Sequence, residues 1–380
     1  MRIVLAVLLL SFATLTFAQQ KEPDVLVFTN GDKLTGALER SAGDSVVFKS
    51  DMAGELTIPY SKIKELNTHQ AFAIVEKDKR VTPKTADSEV PHGVVSVAGN
   101  TITVANPATQ AQAQVPVANA EYVIDEATFH HDLHGKTGFF KGWDGAVTLG
   151  ASLVKATQSD YAANAAIALS RSIPQAAYLL PRNRTTAGLN FNYGEVTTPT
   201  LVGGVRVNQV ARTDIYHVEA ERDQYFTPRV YYLGRLAYDH NYSQGLKLAQ
   251  LYGGGLGWTV IKQPKQELDL KADVHYTRET FYPPAVNENL IGSAFADNYL
   301  LRLPHSLVFT QFATVSPAFN NLNATAASAG VNLAAPLYKR FSLSASAVDS
   351  FINNPGFISP GIPSKKNSVQ FTTGLTYTLR

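Results

Sequence analysis

From Trp143 to Arg380 the chain reads as one alternating strand after another, and the connections between strands alternate short and long. That second regularity constrains the fold most. A soluble sandwich has no reason to gather tight turns at one end and long loops at the other. A barrel threaded through an outer membrane does, with short periplasmic turns and longer outside loops. Compact turns fall around Thr227-Pro228, Lys262-Gln263-Pro264-Lys265, Pro304-His305 and Leu337-Tyr338-Lys339-Arg340. Between them come Gly/Asn/Pro-rich connections: Gly194 to Arg212, His240 to Gly245, Tyr282 to Asn289, Ser316 to Asn323 and Asn353 to Asn367. Two depart from the rule. Ala156 to Asp160 is short where a long loop is expected, and Ile173 to Arg184 is long where a tight turn is expected.

The strands pass the period-2 test unequally. Along Glu267 to Glu279, Leu268, Leu270, Ala272, Val274 and Tyr276 share one face; Glu267, Asp269, Lys271, Asp273, His275 and Thr277 share the other. Val369 to Leu379 sets Val369, Phe371, Leu375, Tyr377 and Leu379 against Gln370, Thr372, Thr376 and Thr378. Arg229 to His240 sets Val230, Tyr232, Leu236 and Tyr238 against Arg235 and Asp239. In water such apolar faces need a second layer. In a bilayer they meet lipid, and the polar faces turn inward.

Composition agrees with a barrel. The net charge of +2 on 380 residues gives no concentrated basic surface for nucleic acid. No stretch after residue 20 supplies the roughly 20 apolar residues a spanning helix needs. Cysteine is absent, which excludes disulfides, thiolate metal sites, cysteine nucleophiles and a lipid-bearing cysteine. Met1 to Ala18 carries Arg2, an apolar run from Ile3 to Leu15 and the ending Thr16-Phe17-Ala18, which reads as a signal peptide with Gln19 starting the mature chain.

Residues 24–75 and 90–125 repeat one small β module. The first copy reads Asn30-Gly31-Asp32-Lys33-Leu34-Thr35-Gly36, Gly43-Asp44, Leu56-Thr57-Ile58-Pro59-Tyr60, Ile63 and Leu66. The second reads Gly93, Gly99-Asn100, Val115-Pro116-Val117, Ala120 and Val123, with turn dipeptides in matching places. Residues 126–142 read as a linker. It holds His130-His131-Asp132-Leu133-His134, which could ligate zinc or copper; adjacent residues on an irregular segment rarely converge on one ion, so an exposed polar stretch is expected.

The residues Asn30 to Gly36, Ile58-Pro59-Tyr60-Ser61-Lys62-Ile63, Tyr231 to Asp239 and Gly253-Gly254-Gly255-Leu256-Gly257-Trp258 together resemble the salt-induced outer-membrane protein family of Gram-negative bacteria, a domain of unknown function. The resemblance implies an integral outer-membrane barrel with a periplasmic β module, and no catalytic residues to carry over. One departure is the last residue. Such barrels usually finish on an aromatic read by the assembly machinery, whereas this chain finishes Tyr377-Thr378-Leu379-Arg380.

Other chemistries find little support. Gly253 to Gly257 invites a nucleotide reading, but Trp258-Thr259-Val260-Ile261 continues as strand where a helix is required. Small residues on the inner face, relieving crowding, explain the glycines better. His217, His240, His275 and His305 have no serine at a telling spacing for a hydrolase. Glu219, Glu221 and Asp223 alternate on one strand and face inward if Tyr216, Val218 and Ala220 face lipid. Inward carboxylates need solvent or partners, for which Arg235, Lys271 and Arg171 are available.

The expected fold is all-β: an antiparallel transmembrane barrel of about twelve strands over residues 143–380, preceded by the two-copy module. The candidate interior charges are Glu219, Glu221, Asp223, Arg235, Asp239, Asp269, Lys271, Asp273 and His275. Outer-membrane lipid and the barrel-assembly machinery are the expected partners, with no cofactor and no nucleic acid. The expected role is a narrow solute or ion passage or envelope adaptation. The alternative makes the barrel an anchor for periplasmic modules with an unidentified partner, and an outer-membrane esterase is a minor third reading. The proline-rich connection Asn353 to Asn367 is expected to restrict the outer mouth through Phe357, Ile358 and Ile362, with Lys365 and Lys366 toward anionic lipid sugars.

Overall fold

The computed structural model describes residues 22–77, 79, 81–82, 89–135, 138–155, 159–176, 178–203, 205–355, 357–359, 362–363 and 365–379. The signal peptide expected at 1–18 and the terminal Arg380 lie outside them. Two compact units divide the chain: Met1–Gly135 with Ala176–Leu179, and Lys136–Gln175 with Leu180–Arg380.

The first unit contains β1 (Asp24–Phe28), β2 (Lys33–Ala42), β3 (Ser45–Ser50), β4 (Gly54–Pro59), β5 (Ile63–Glu76), β6 (His92–Ala98), β7 (Thr101–Ala105), β8 (Gln112–Pro116) and β9 (Ala120–Asp125). One succession occurs twice. β2-β3-β4 reach Pro59, a 3₁₀ turn at Tyr60–Lys62 and then β5; β6-β7-β8 reach Pro116, a 3₁₀ turn at Val117–Asn119 and then β9. The copies are not side by side as separate bodies. β5 pairs with β6, and β9 pairs with β2 and β5, so each copy's last strand completes the other copy. Gly36 and Gly93 occupy matching places for one reason: an added Cβ would lie 2.0 Å from the Lys49 carbonyl oxygen and 2.3 Å from that of Ala105. Leu26, Phe48, Leu66, Phe72, Ile74, Val95 and Ile102 form the common core.

The segment expected as a linker holds instead a helix, α1 (Glu126–His134). Asp125 caps it by accepting from the Thr128 amide at 3.0 Å. Phe129 and Leu133, four apart and so on one face, are buried with Ala73, Val75, Ile124 and Leu179. The polar histidines hide this two-residue apolar stripe in the sequence. Leu179 and Tyr178 come from the connection that looked too long for a tight turn; it is long because Ala176–Leu179 serve the core of the first unit.

The second unit contains β10 (Asp144–Lys155), β11 (Ser159–Ile173), β12 (Asn183–Val202), β13 (Val205–Tyr225), β14 (Val230–Asn241), β15 (Leu246–Gln263), β16 (Gln266–Phe281), β17 (Glu288–Arg302), β18 (Val308–Ser316), β19 (Ala326–Tyr338), β20 (Phe341–Ile352), the short pair β21 (Phe357–Ser359) and β22 (Ile362–Pro363), and β23 (Asn367–Thr378). Twelve of these strands, β10 through β20 and β23, form a closed antiparallel barrel, sealed where Ala146 to Leu149 pair with Thr378 to Leu375. The expected all-β fold, a twelve-stranded barrel after a small β module, is the fold observed.

Turn lengths follow the expected alternation with one correction. Gly194 to Arg212, read as a long loop, is regular hairpin in which β12 and β13 pair without interruption to Val202 and Val205. The proline at 199 misled the reading. Pro199 lies past Thr197, the last residue paired to β11, on an edge where its missing amide leaves no ladder bond unmade. The connection at 353–366 does leave the ladder, as its prolines require, and β21 and β22 pair only with each other. Residues 356, 360, 361 and 364 lie outside the described set, as do the side chains of Phe357, Ile358 and Ile362 expected to cover the mouth.

Alternate positions around the barrel expose large apolar residues: Phe191, Leu236, Leu256, Leu270, Val274, Ile291, Phe295, Leu343, Phe371 and Leu375. A contiguous apolar band this extensive is foreign to a water-facing surface. It is the lipid-facing surface of a membrane barrel, in which strands rather than helices span; no described helix is long and apolar enough to cross.

Candidate functional site

The opposite face of the same strands is buried and charged on one side of the barrel. On β16, Asp269, Asp273, His275 and Thr277 are buried while Leu270, Val274 and Tyr276 between them are exposed, as the period-2 pattern predicts. Apart from Arg184 with Asp223, which are direct partners on adjacent strands, the charges meet across strands that are not neighbours. Arg184 on β12 reaches Asp223 on β13 at 2.7 Å, Asp269 on β16 at 2.8 Å and Glu267 at 3.4 Å. Lys271 on β16 bonds Glu221 on β13, and Arg235 on β14 meets Asp273 at 3.1 Å.

Glycines make room for this layer. The ring of Tyr231 is fully buried, and its hydroxyl accepts from Arg184 at 3.2 Å. A Cβ at Gly257 would stand 2.2 Å from that ring, and one at Gly255 would stand 2.1 Å from the Ala272 carbonyl oxygen. Thr259, next on the same face, donates to Asp269 Oδ1 at 2.5 Å. Crowding relief is therefore the work of the inward Gly253, Gly255 and Gly257.

Toward the loop end the balance turns acidic. His217 contacts Asp239 at 2.6 Å and Glu219 at 3.6 Å. Glu279 and Glu288 are direct partners across β16 and β17, and among the described residues Glu288 accepts from two amides, Asn321 at 2.9 Å and Asn354 at 3.2 Å. Two of these inward carboxylates are well solvated: the side chain of Glu219 is 59% exposed and that of Asp239 40%. The wall across from this one, on β20, β23 and β10, carries Ser344, Ser346, Gln370, Thr372, Thr376 and Thr148, small polar groups bonded among themselves. Thr148 and Thr376 lie 2.7 Å apart, and Asn192 on β12 donates to Gln370 at 2.8 Å.

The loop end is also crossed by a turn. Between β14 and β15, Tyr242–Gln244 form one 3₁₀ turn in which Gln244 is 1% exposed. Its amide donates to the carbonyls of Lys366 at 2.9 Å and Ser350 at 3.3 Å, at the base of the β20–β23 connection. In the strand order that base is diametrically opposite the β14–β15 turn. Leu246 and Phe281 pack beneath it with Ile352.

The structure thus brings together Glu221 with Lys271, Asp223 and Asp269 through Arg184, Arg235 with Asp273 and His275, and Asp239 with Glu219 through His217; His275 lies 2.7 Å from Asp273. Arg171, named from sequence as a partner for the carboxylates, donates to the carbonyls of Lys141 at 2.8 Å and Gly138 at 3.0 Å. Its strand position explains this: Arg171 pairs with Thr185, one place from the inward Arg184. Arg184 and Gln244 were missed. Arg184 was legible by parity, since it alternates with Thr186 and Gly188, but its strand was read as connection up to that residue. Nothing local marks Gln244.

In the first unit, the Tyr178 hydroxyl donates to Asp132. Burial first and that carboxylate second raise its pKa above the usual tyrosine range. Burial likewise raises Tyr60, partly offset by its hydrogen bond to Ser41. Among the described residues no group of three His, Asp or Glu is placed to hold a metal ion, and the His130 to His134 cluster is spread over the turns of α1.

The family described as "Protein of unknown function, DUF481" matches residues 147–379, most of the chain and nearly all of the barrel. The chain belongs to this family. The chain is also similar to solved structures of several kinds. A NanC porin matches at 9% identity and a TM-score of 0.38, covering 62% of this chain and 100% of that one. The translocator domain of the autotransporter NalP from Neisseria meningitidis matches at 12% identity and 0.30, covering 62% and 87%. An anion-selective porin from Comamonas acidovorans matches at 8% identity and 0.30, covering 62% and 98%. Similarity at this level transfers no substrate or partner. Among curated proteins, none matches.

Proposed function

We propose that this barrel is a narrow, water-filled outer-membrane passage that prefers cations and is restricted at its loop end. The observation that carries the reading is the solvation of inward carboxylates, Glu219 and Asp239, on a wall where acids outnumber cations. Both share the single imidazole of His217, so negative charge stays in excess there, which is costly unless water and mobile cations reach it. Glu279 opposite Glu288 adds to that demand. The interior charges named from sequence would line this path: Asp223, Asp269, Asp273, Arg235, Lys271 and Glu221 narrowing it, Asp239 and Glu219 selecting. The Gln244 turn would set the closed state of the mouth.

Planar-bilayer recording of the refolded protein tests this. In a KCl gradient the reversal potential should report cation preference, weakened by Glu219→Gln with Asp239→Asn, and Gln244→Ala should raise conductance. A barrel that is silent as wild type, as Gln244→Ala and as Arg184→Met would end the proposal. Such silence would favour the second reading, in which the barrel anchors the first unit. One observation speaks for that reading: the first unit recruits Ala176–Leu179 into its own core, as a permanent folded body would. Assembly through the barrel-assembly machinery would use β23, whose Phe371, Leu375 and Tyr377 face outward. The role in salt adaptation implied by the family resemblance predicts a growth defect of a deletion strain in high salt, restored by the intact gene.

A further inference from the structure

The short-turn end of the barrel carries a charge pattern that the passage does not use. Connection after connection there sets a cation beside an exposed aromatic ring. Phe140, 91% exposed, precedes Lys141 ahead of β10. Phe226 and Arg229 share the β13–β14 turn, and Tyr338, Lys339, Arg340 and Phe341 make the β19–β20 turn, with the Lys339 ammonium 5.0 Å from the Tyr338 ring centre. Lys265 lies in the β15–β16 turn, below the exposed Trp258, while Lys262 before it turns inward, opposite Glu267.

Several cations at this end rest on carbonyls of neighbouring turns, and among the described residues Lys265, Lys339 and Arg340 form no ion pair with a carboxylate, whereas Lys262 stands opposite Glu267. Lys262 donates to Pro228 at 3.2 Å, Arg302 to Pro264 at 3.1 Å and Arg340 to Leu379 at 3.2 Å. Phe139 and Phe140 are held outward by a pinned backbone: Arg171 takes the carbonyls of Gly138 and Lys141, and Gln175 donates to Gly142 at 2.8 Å. At the loop end Arg212 is paired with Asp214 at 2.8 Å, and Lys366 donates to the Asn353 side chain at 2.9 Å.

Exposed aromatic rings settle at a membrane interface, and Lys and Arg beside them extend to the headgroups. Among the described residues, Lys265, Lys339 and Arg340 carry unneutralised positive charge on this rim, complementary to phosphate-bearing anions at that depth. Short turns of outer-membrane barrels face the periplasm, so the adjoining leaflet is phospholipid. We infer that the short-turn rim is a binding collar for anionic phospholipid headgroups. The collar holds whether or not the barrel conducts.

The test uses the full-length protein in phosphatidylcholine bilayers with trace spin-labelled phosphatidylglycerol or spin-labelled phosphatidylcholine. Electron paramagnetic resonance measures the share of each label immobilised at the protein surface. The wild type should prefer phosphatidylglycerol by about fivefold, the effect of one cation engaged per headgroup, and high salt should erase the preference. The variant Lys265→Gln, Lys339→Gln, Arg340→Gln should bring the ratio close to one. The loop-end variant Lys365→Gln, Lys366→Gln should leave it unchanged. Equal association of both labels with the wild type overturns the collar, as does a preference that survives the short-turn variant or vanishes in the loop-end one. Heat-modifiable gel migration checks that each variant is folded, and the salt response of the wild type needs no variant.

Discussion

Arg184→Met is the sharpest perturbation of the barrel interior. The guanidinium holds Asp223 at 2.7 Å and Asp269 at 2.8 Å, carboxylates only 1% and 7% exposed. Removing it leaves two buried anions together, with Lys271 already committed to Glu221. Breaking a buried pair from one side costs about 3–5 kcal/mol. The contact with Glu267 adds under about 1 kcal/mol, because that carboxylate is 41% exposed. The loss is thus several kcal/mol, read as a lower urea midpoint for the protein refolded in vesicles, at unchanged slope. The triple variant Arg184→Met, Asp223→Asn, Asp269→Asn removes the stranded charges and should recover most of it. A single variant within about 1 kcal/mol of wild type would show that water already screens these anions, and would refute the reasoning. So would a triple variant no better than the single one.

Gly257→Ala should push the Tyr231 ring from its site and cost about 1–3 kcal/mol by overpacking; adding Tyr231→Leu should restore the urea midpoint. Gly36→Ala and Gly93→Ala each drive a Cβ onto a carbonyl of the adjoining strand, and because the copies complete each other, either should lower amide-exchange protection in both. Loss confined to one copy would contradict the exchanged strand pairing. For pH, the folded pKa values of Tyr60 and Tyr178 lie above their unfolded ones. Their contribution is fully present below the ordinary tyrosine pKa of about 10 and is lost as pH rises beyond it. Near-ultraviolet circular dichroism should show the first unit loosening in alkali, and Tyr178→Phe should reduce that sensitivity.

The reach of the sequence varied with the range of the interaction. Strand alternation is written two residues apart, so the outward Leu270 and Val274 and the inward Asp269 and Asp273 were legible without coordinates. Turn residues are equally local, and the four compact turns sat where Pro and Lys marked them. The repeated module showed because Gly36 and Gly93 answer to the same close approach. Where two signals competed, the reading slipped: Pro199 hid a hairpin, and the polar His130 to His134 hid the buried pair Phe129 and Leu133.

Tertiary closure decided the rest. Parity can say that Asp223, Asp269 and Arg184 point inward; only the curvature and register of the closed barrel bring β12 to β16 and make them partners. The same holds for Gln244, whose carbonyl partners lie more than a hundred residues along the chain and across the mouth. Exchange of β5 and β9 between the copies, and the recruitment of Leu179 to the first unit's core, are likewise choices among surfaces that no local pattern encodes. Which face a residue takes is a property of the strand. Which charge it meets there is a property of the closed fold.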